Sequence, residues 1–258
     1  MSSILILLHI PKAAGTTLRW VLESNYPARS VLHCYGSRGC GWDQLANMPV
    51  ATKARVSLLC SHLPFGTHSL FPQSSRYITM LREPVSRAAS AYYAFNSSPD
   101  LDGLANFAAN LKHRNRDNQQ VRQVASVAVD AHVTDGDLQE AKRRLSNDFV
   151  AVGLAERFEL SLALMQRVLD LQHVQYVNRN LGRHRPSREH ISPAILETLS
   201  AAHQYDLQLY KYAERLLEER AEEHQLVDND IGGLLASRGW GRARIYASRG
   251  LRRLRRQR

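Results

Sequence analysis

Ile4-Leu5-Ile6-Leu7-Leu8-His9-Ile10-Pro11-Lys12-Ala13-Ala14-Gly15-Thr16-Thr17 is the stretch on which the fold turns. Residues 4–10 form an apolar run that stops at Pro11, without the alternation of a half-exposed strand. Such a run fits a strand buried on both faces of a parallel sheet. From Thr16 to Ser24 the period changes, and Leu18, Val21 and Leu22 fall on one helical stripe. The run is far too short to span a bilayer, and no basic segment precedes it as in a signal peptide. Met1 is therefore read as a native start, with the first core strand following almost at once.

Three more strands are expected at Val56 to Cys60, Tyr77 to Leu81 and Phe149 to Leu154. Helical patterns occupy 84–95, 101–113, 118–129, about 135–146 and 156–171. Ser192 and Pro193 supply an N-cap and first-turn signature for one long helix to about Glu223. Strands separated by helices predict an α/β fold, a single domain with a mostly parallel central sheet flanked by helices. With 258 residues, 44 % of them apolar, one core is the natural solution. The domain is placed at residues 1–225 and a basic tail at 226–258.

The formal net charge of +10 is not spread evenly. Nine of the 34 lysines and arginines lie between Arg238 and Arg258, where no acidic residue occurs, leaving 25 basic against 24 acidic residues before them. A nearly neutral body argues against a dedicated nucleic-acid surface. The arginine-rich tail suits an anionic membrane surface or another polyanion, or is a solvated terminus. Cys34, Cys40 and Cys60 show no CxxC pair or regular framework, so they are read as idle thiols in a reducing, cytoplasmic setting.

The junction from Lys12 through Ala13, Ala14 and Gly15 to Thr16 and Thr17 has the makings of an anion site. The first N–H groups of a helix lack intrahelical partners and sit at the positive end of its dipole. Gly15 permits close approach, Lys12 adds charge, and the threonines add hydroxyl donors. A Walker A loop would need its lysine after a second glycine, whereas Lys12 precedes the only one. A second cradle is expected where Arg82 ends an apolar strand and Pro84 opens a helix that carries Ser90. Guanidinium and hydroxyl together can grip a second phosphate. A third polar group, His62, ends the second of these strands, and strand carboxyl ends face the ligand crevice of an α/β sheet. Its imidazole is suited to take a proton from an attacking hydroxyl.

PKAAGTT after the first strand, with LREPVSRAASAYY at 81–93, resembles the carbohydrate sulfotransferase family that includes heparan sulfate 2-O-sulfotransferases and bacterial relatives. SHLPFGTH, NQQVR, VGLAERFELSL and DLQLYKYA extend the resemblance over most of residues 4–218. It implies a P-loop-like nucleotide-binding sulfotransferase fold and a sulfuryl donor, 3′-phosphoadenylyl sulfate (PAPS), with adenosine 3′,5′-bisphosphate (PAP) as product and no metal. It further implies that residues 12–17 hold the 5′-phosphosulfate, that Arg82 and Ser90 hold the 3′-phosphate, and that His62 is the general base with Lys12 beside it. The acceptor it favours is a glycan hydroxyl. Those heparan enzymes carry a second histidine where this chain has Cys60, which argues against a two-histidine mechanism. A late loop closes over the nucleotide in related enzymes, and Arg183 or Arg185 is assigned to the 3′-phosphate or the acceptor on that basis. Two other readings stay open, a P-loop-like kinase using ATP with magnesium and a non-catalytic polyanion-binding protein.

Among the remaining polar residues, His9 is read as strand-end packing and Glu156 with Arg157 as a structural pair or helix-start contact. Asp206 and Tyr210 are read as tertiary tethers. His68 is the reserve candidate for acceptor binding.

Overall fold

The apolar segment Ile4–Leu8 forms β1, and all five of its side chains are buried. The computed structural model describes residues 3–36, 40–111, 116–176, 190–227, 230 and 234. Four further strands follow, β2 (Val31–Cys34), β3 (Leu58–Ser61), β4 (Ser75–Leu81) and β5 (Phe149–Leu154). They make one five-stranded sheet in the order β2-β3-β1-β4-β5. Every neighbouring pair is parallel. The expected α/β architecture is observed, with β1 in the middle, where its composition requires cover on both faces.

Among the described residues ten α-helices connect and cover the strands: α1 (Gly15–Glu23), α2 (Trp42–Ala46), α3 (Val50–Lys53), α4 (Pro84–Phe95), α5 (Leu101–Ala109), α6 (Gln119–Ala125), α7 (Asp135–Asn147), α8 (Phe158–Leu169), α9 (Pro193–Ala202) and α10 (Gln204–Glu223). Among the described residues no helix is long and apolar enough to cross a membrane.

Some elements differ from expectation for identifiable reasons. β2 was not anticipated; it is a four-residue edge strand of which only Cys34 is fully buried, so it lacks the apolar run of a central strand. α6 stops at Ala125 because Ser126 takes a left-handed backbone, φ +58°. The reading of all three cysteines as thiols is also corrected. Cys34 and Cys40 form a disulfide, while Cys60 is a free thiol that burial pushes up to about 12. Since disulfides persist in oxidising surroundings, the cysteines no longer argue for a reducing compartment.

The single long helix expected after Ser192 is divided at His203 into α9 and α10. The cause is tertiary. His203 Nδ1 accepts the backbone N–H of Asn118 (3.0 Å), and Asn118 Oδ1 in turn accepts the N–H groups of Tyr205 and Asp206 at the start of α10. Asp206 repays the cap, its carboxylate accepting the N–H groups of Gln120 and Val121 at the start of α6. Each helix thus satisfies the orphan donors of the other. His203 and Asp206 are wholly buried, as is nearly all of Arg87. Burial, with Arg87 nearby, depresses the His203 imidazole to about 3, so it stays neutral and can accept. Burial raises Asp206 to about 6, against the pull of Arg87 and of the Val121 and Gln120 N–H groups.

Removing the Asp206 carboxylate strands two buried N–H groups and a buried cation. Asp206→Ala is expected to lower the free energy of unfolding by about 3 kcal/mol or more, the usual cost of breaking a buried charged partnership. Asp206→Asn, which keeps an acceptor oxygen, should cost less. Urea unfolding followed by circular dichroism measures both, and a loss below about 1 kcal/mol for the alanine variant would remove this network from the fold's supports.

Candidate active site

All five strands deliver a residue to the same edge of the sheet. His9 follows β1, Tyr35 follows β2, His62 follows β3, Arg82 follows β4, and Ala155 and Glu156 follow β5. The register explains this convergence, since Leu8 is level with Ser61 on one side and Thr79 on the other. A cavity of about 430 Å³ opens there, a size within the usual range for ligand sites. Lys12, Ala14, Gly15, Thr16, Thr17, His62, Arg82 and Ser90 line it, as do His9, Phe95 and Glu156. Of the residues singled out in the sequence, Ala13 is instead packed into the core. Arg183 and Arg185 lie outside the described residues, as does the tail from Arg238.

The loop between β1 and α1 is shaped for close approach. Lys12 and Ala14 both adopt left-handed backbone, φ +70° and +59°, with Ala13 between them. Such positions cost about 1 kcal/mol each outside glycine, so the surrounding structure must enforce them. A turn of this kind running into a helix start is a setting in which backbone N–H groups bind anions, with the Ala13 N–H here donated to Ile10 O (3.4 Å). Ala14 provides no side-chain cap and the first turn of α1 holds no acidic residue, so its positive end is uncompensated within the helix. Gly15 is required for a steric reason. A Cβ there would lie 2.1 Å from His9 Cδ2 and 2.4 Å from its Nε2.

Arg82 connects the two halves of the cavity. Its Nη1 donates to the Lys12 carbonyl (3.0 Å), and its Nε lies 3.7 Å from Glu156 Oε1. The guanidinium keeps further donors for a planar anion contact. The Gln120 side chain fixes the Arg82 main chain from both sides, accepting its N–H and donating to its carbonyl, each at 2.9 Å. Glu83 does not pair with Arg82; its carboxylate caps α4 through the N–H groups of Val85 and Ser86.

His62 is held by main chain. Its backbone N–H donates to Cys34 O (3.0 Å), and its Nδ1–H donates to His9 O (2.6 Å). That bond defines the tautomer, leaving Nε2 on the opposite edge of the ring as the proton acceptor. Burial lowers the His62 pKa below 6.5, with the bond to His9 O opposing and Arg19 reinforcing the shift. His9, more deeply buried, falls to about 3 through burial and the neighbouring charges of His62 and Arg19. Both rings are neutral at pH 7.

Three contributors were not foreseen. Gln120 is a wholly buried amide that anchors Arg82, but its partner is backbone, which no motif marks. Tyr35 follows the unrecognised β2. Glu156 and Arg157 are not a pair, because Arg157 bridges to Glu218 (2.6 Å) while Glu156 accepts from Tyr210 OH (2.9 Å) and the Glu83 N–H. The strand-end rule that flagged His62 applies equally to Glu156 after β5. Tyr210 and Asp206 do act as tethers, whereas His68 packs on Tyr77 and Phe65, away from the cavity lining. Comparison with known protein families and with curated protein sequences gives no match.

The contact between Gly15 and His9 generates a test. Gly15→Ala should destabilise the protein by about 1–3 kcal/mol, as overpacking does. In a His9→Ala background the same change should cost far less, giving a coupling above about 0.5 kcal/mol. A double-mutant cycle by denaturant unfolding measures it, and additive losses would mean that the ring and the loop do not press on each other.

Proposed function

We propose that the protein is a sulfotransferase moving a sulfuryl group from PAPS to an acceptor hydroxyl, with a carbohydrate as the acceptor class favoured by the motif resemblance. The observation that carries this reading is the meeting, in one cavity, of an anion-binding helix start after β1, an arginine and a serine from β4 and α4, and a neutral histidine after β3. A donor with a 5′-phosphosulfate and a separate 3′-phosphate asks for two cradles on different strands. Residues 12–17 are suited to the first group, and Arg82 with Ser90 to the second. The bond from Arg82 to the Lys12 carbonyl holds the cradles at a set spacing.

In this mechanism His62 Nε2 takes the proton of the acceptor hydroxyl as its oxygen bonds to sulfur. The sulfur–oxygen bond to the phosphate breaks in line. Lys12 and the N–H groups at the start of α1 stabilise the charge that grows on the departing phosphate. Glu156 keeps the Arg82 guanidinium in place at the far side. The arginine-rich tail would hold the enzyme near an anionic membrane surface or a polyanionic acceptor.

PAP is expected to raise the melting temperature without magnesium, adding roughly 2.7 kcal/mol at about 100 times its dissociation constant. ADP, which lacks the 3′-phosphate, should do far less. Arg82→Ala should erase most of the difference between them. Equal shifts with PAP and ADP would refute the two-cradle reading and favour a kinase-like site, and no shift with either would favour a polyanion-binding protein. The pH dependence follows from His62. Because burial lowers its pKa, the neutral, active form persists below pH 6.5, and kcat/KM should fall only as pH drops through that depressed value. An acid limb centred above pH 6.5 would contradict this.

A further inference from the structure

β2 ends at Cys34, and the next residue, Tyr35, rests half-buried on the His62 ring, with centroids 4.6 Å apart. Its hydroxyl lies 3.2 Å from His9 Nδ1, and its ring meets the His9 ring edge-on at 5.5 Å. Burial raises the Tyr35 pKa, so the phenol keeps its proton and is the natural donor to the neutral His9. One side chain therefore touches both the candidate base and the residue whose carbonyl orients that base. Tyr35 itself does not line the cavity.

The segment carrying Tyr35 is closed twice. Gly36 N–H, just after Tyr35, donates to Cys40 O (3.0 Å), at a left-handed turn (φ +70°) that suits glycine, and Cys34, just before Tyr35, is joined to the same Cys40 by a disulfide. Cys34 also accepts the His62 backbone N–H through its carbonyl. On an edge strand, where few neighbours hold the chain, a covalent closure beside the base is a constraint that packing alone does not supply. The bond to His9 O fixes one edge of the His62 ring, while rotation about that edge is limited by what lies against its faces. Tyr35 and the His9 ring, each with its centroid 4.6 Å from that of His62, fill that role, and Tyr35 is the one carried by the disulfide-closed segment. The other titratable or charged groups around His62 are His9 after β1, Arg19 on α1, and, across Tyr35, Glu23 on α1, His33 on β2 and Cys60 on β3.

We propose that Tyr35 is a positioning residue for His62, and that the Cys34–Cys40 disulfide holds it there, so that reducing this one bond loosens the base while sparing the nucleotide cradles. The inference rests on His62 being the base. Reduction is a two-electron exchange with a dithiol, in which the Cys34–Cys40 bond breaks to two thiols and the reductant closes to its own disulfide.

The test uses the full chain, with histidine labelled for NMR and the His62 signal assigned by its loss in His62→Asn. The His62 titration midpoint and PAP affinity are measured for wild type, Tyr35→Ala, Tyr35→Phe, Cys34→Ala/Cys40→Ala and wild type reduced with dithiothreitol, the bond's state being checked by mass after alkylation. Tyr35→Ala, the double alanine variant and reduction should raise the midpoint by about half a pH unit or more, toward the solvated value, as water reaches the ring. Tyr35→Phe, which keeps the ring, should move it much less. PAP affinity should stay within about threefold in all of them, while kcat falls about tenfold in the three perturbed forms with little change in KM. An unmoved midpoint in Tyr35→Ala overturns the positioning role, and an unmoved midpoint after reduction overturns the part given to the disulfide. A loss of PAP affinity beyond tenfold also overturns it, since the segment would then support the whole cavity. Reduction of wild type needs no substitution, so a variant that fails to fold leaves the test in force. If wild type binds no PAP, the sulfotransferase reading fails, yet the titration arm still decides whether Tyr35 governs His62.

Discussion

The placement of β1 in the middle of a fully parallel sheet is the constraint on which everything else depends. Because each strand runs the same way, all five carboxyl ends lie on one edge, and the residue that follows each strand arrives at the same place. With Leu8 level with Ser61 and Thr79, His9 sits between the chains that carry His62 and Arg82. His9 N–H then bonds to Ser61 O, and His62 Nδ1–H bonds to His9 O. The Thr79 hydroxyl donates to Leu8 O on the other side (2.8 Å), locking β4 to the same level. A slip of one residue in either pair would turn these side chains to opposite faces of the sheet and dissolve the site.

The cavity is also supported from below by a buried polar network that reaches it through Arg82. Asp206 caps α6, whose Gln120 grips the main chain of Arg82, and Arg82 reaches the carbonyl of Lys12. Four segments far apart in sequence are thus linked in series through Arg82. Networks of this kind specify a unique arrangement when every member is satisfied. Here Asp206, Asn118 and Gln120 are each hydrogen-bonded, while Arg87 Nε and His203 Nε2 have no partner among the described residues. The Arg82 side of the cavity is thus tied by hydrogen bonds to three other segments, whereas at the edge strand β2 the tie is the Cys34–Cys40 disulfide.

Most of this was legible where local composition decides the outcome. The strands β1, β3, β4 and β5 announce themselves as apolar runs, and Pro84 marks the start of α4. The junction at residues 12–17 and the pair Arg82 and Ser90 were equally visible as candidates, and the fold brings them to one cavity, with Ala13 left in the core. What escaped depends on three-dimensional neighbours. β2 is short and half-exposed; the Cys34–Cys40 bond needs both ends brought to within bonding distance by a turn at Gly36; and the break at His203, with neither proline nor glycine there, is imposed by Asn118 from another helix. The pairing of Glu156 with Tyr210 rather than Arg157 has the same origin, since only the folded sheet brings α10 against the end of β5.

The central claim is that a neutral histidine at the end of β3 removes a proton beside a bound sulfuryl donor. Radiosulfate transfer from PAPS, screened across carbohydrate and other hydroxyl acceptors with wild type, His62→Ala and His62→Asn, tests it most directly. Wild type should label an acceptor, and both variants should lose about 10²- to 10⁴-fold in rate with PAP affinity intact, because neither side chain can accept the proton. Near-normal turnover by His62→Ala on the same acceptor would contradict the assignment of the base.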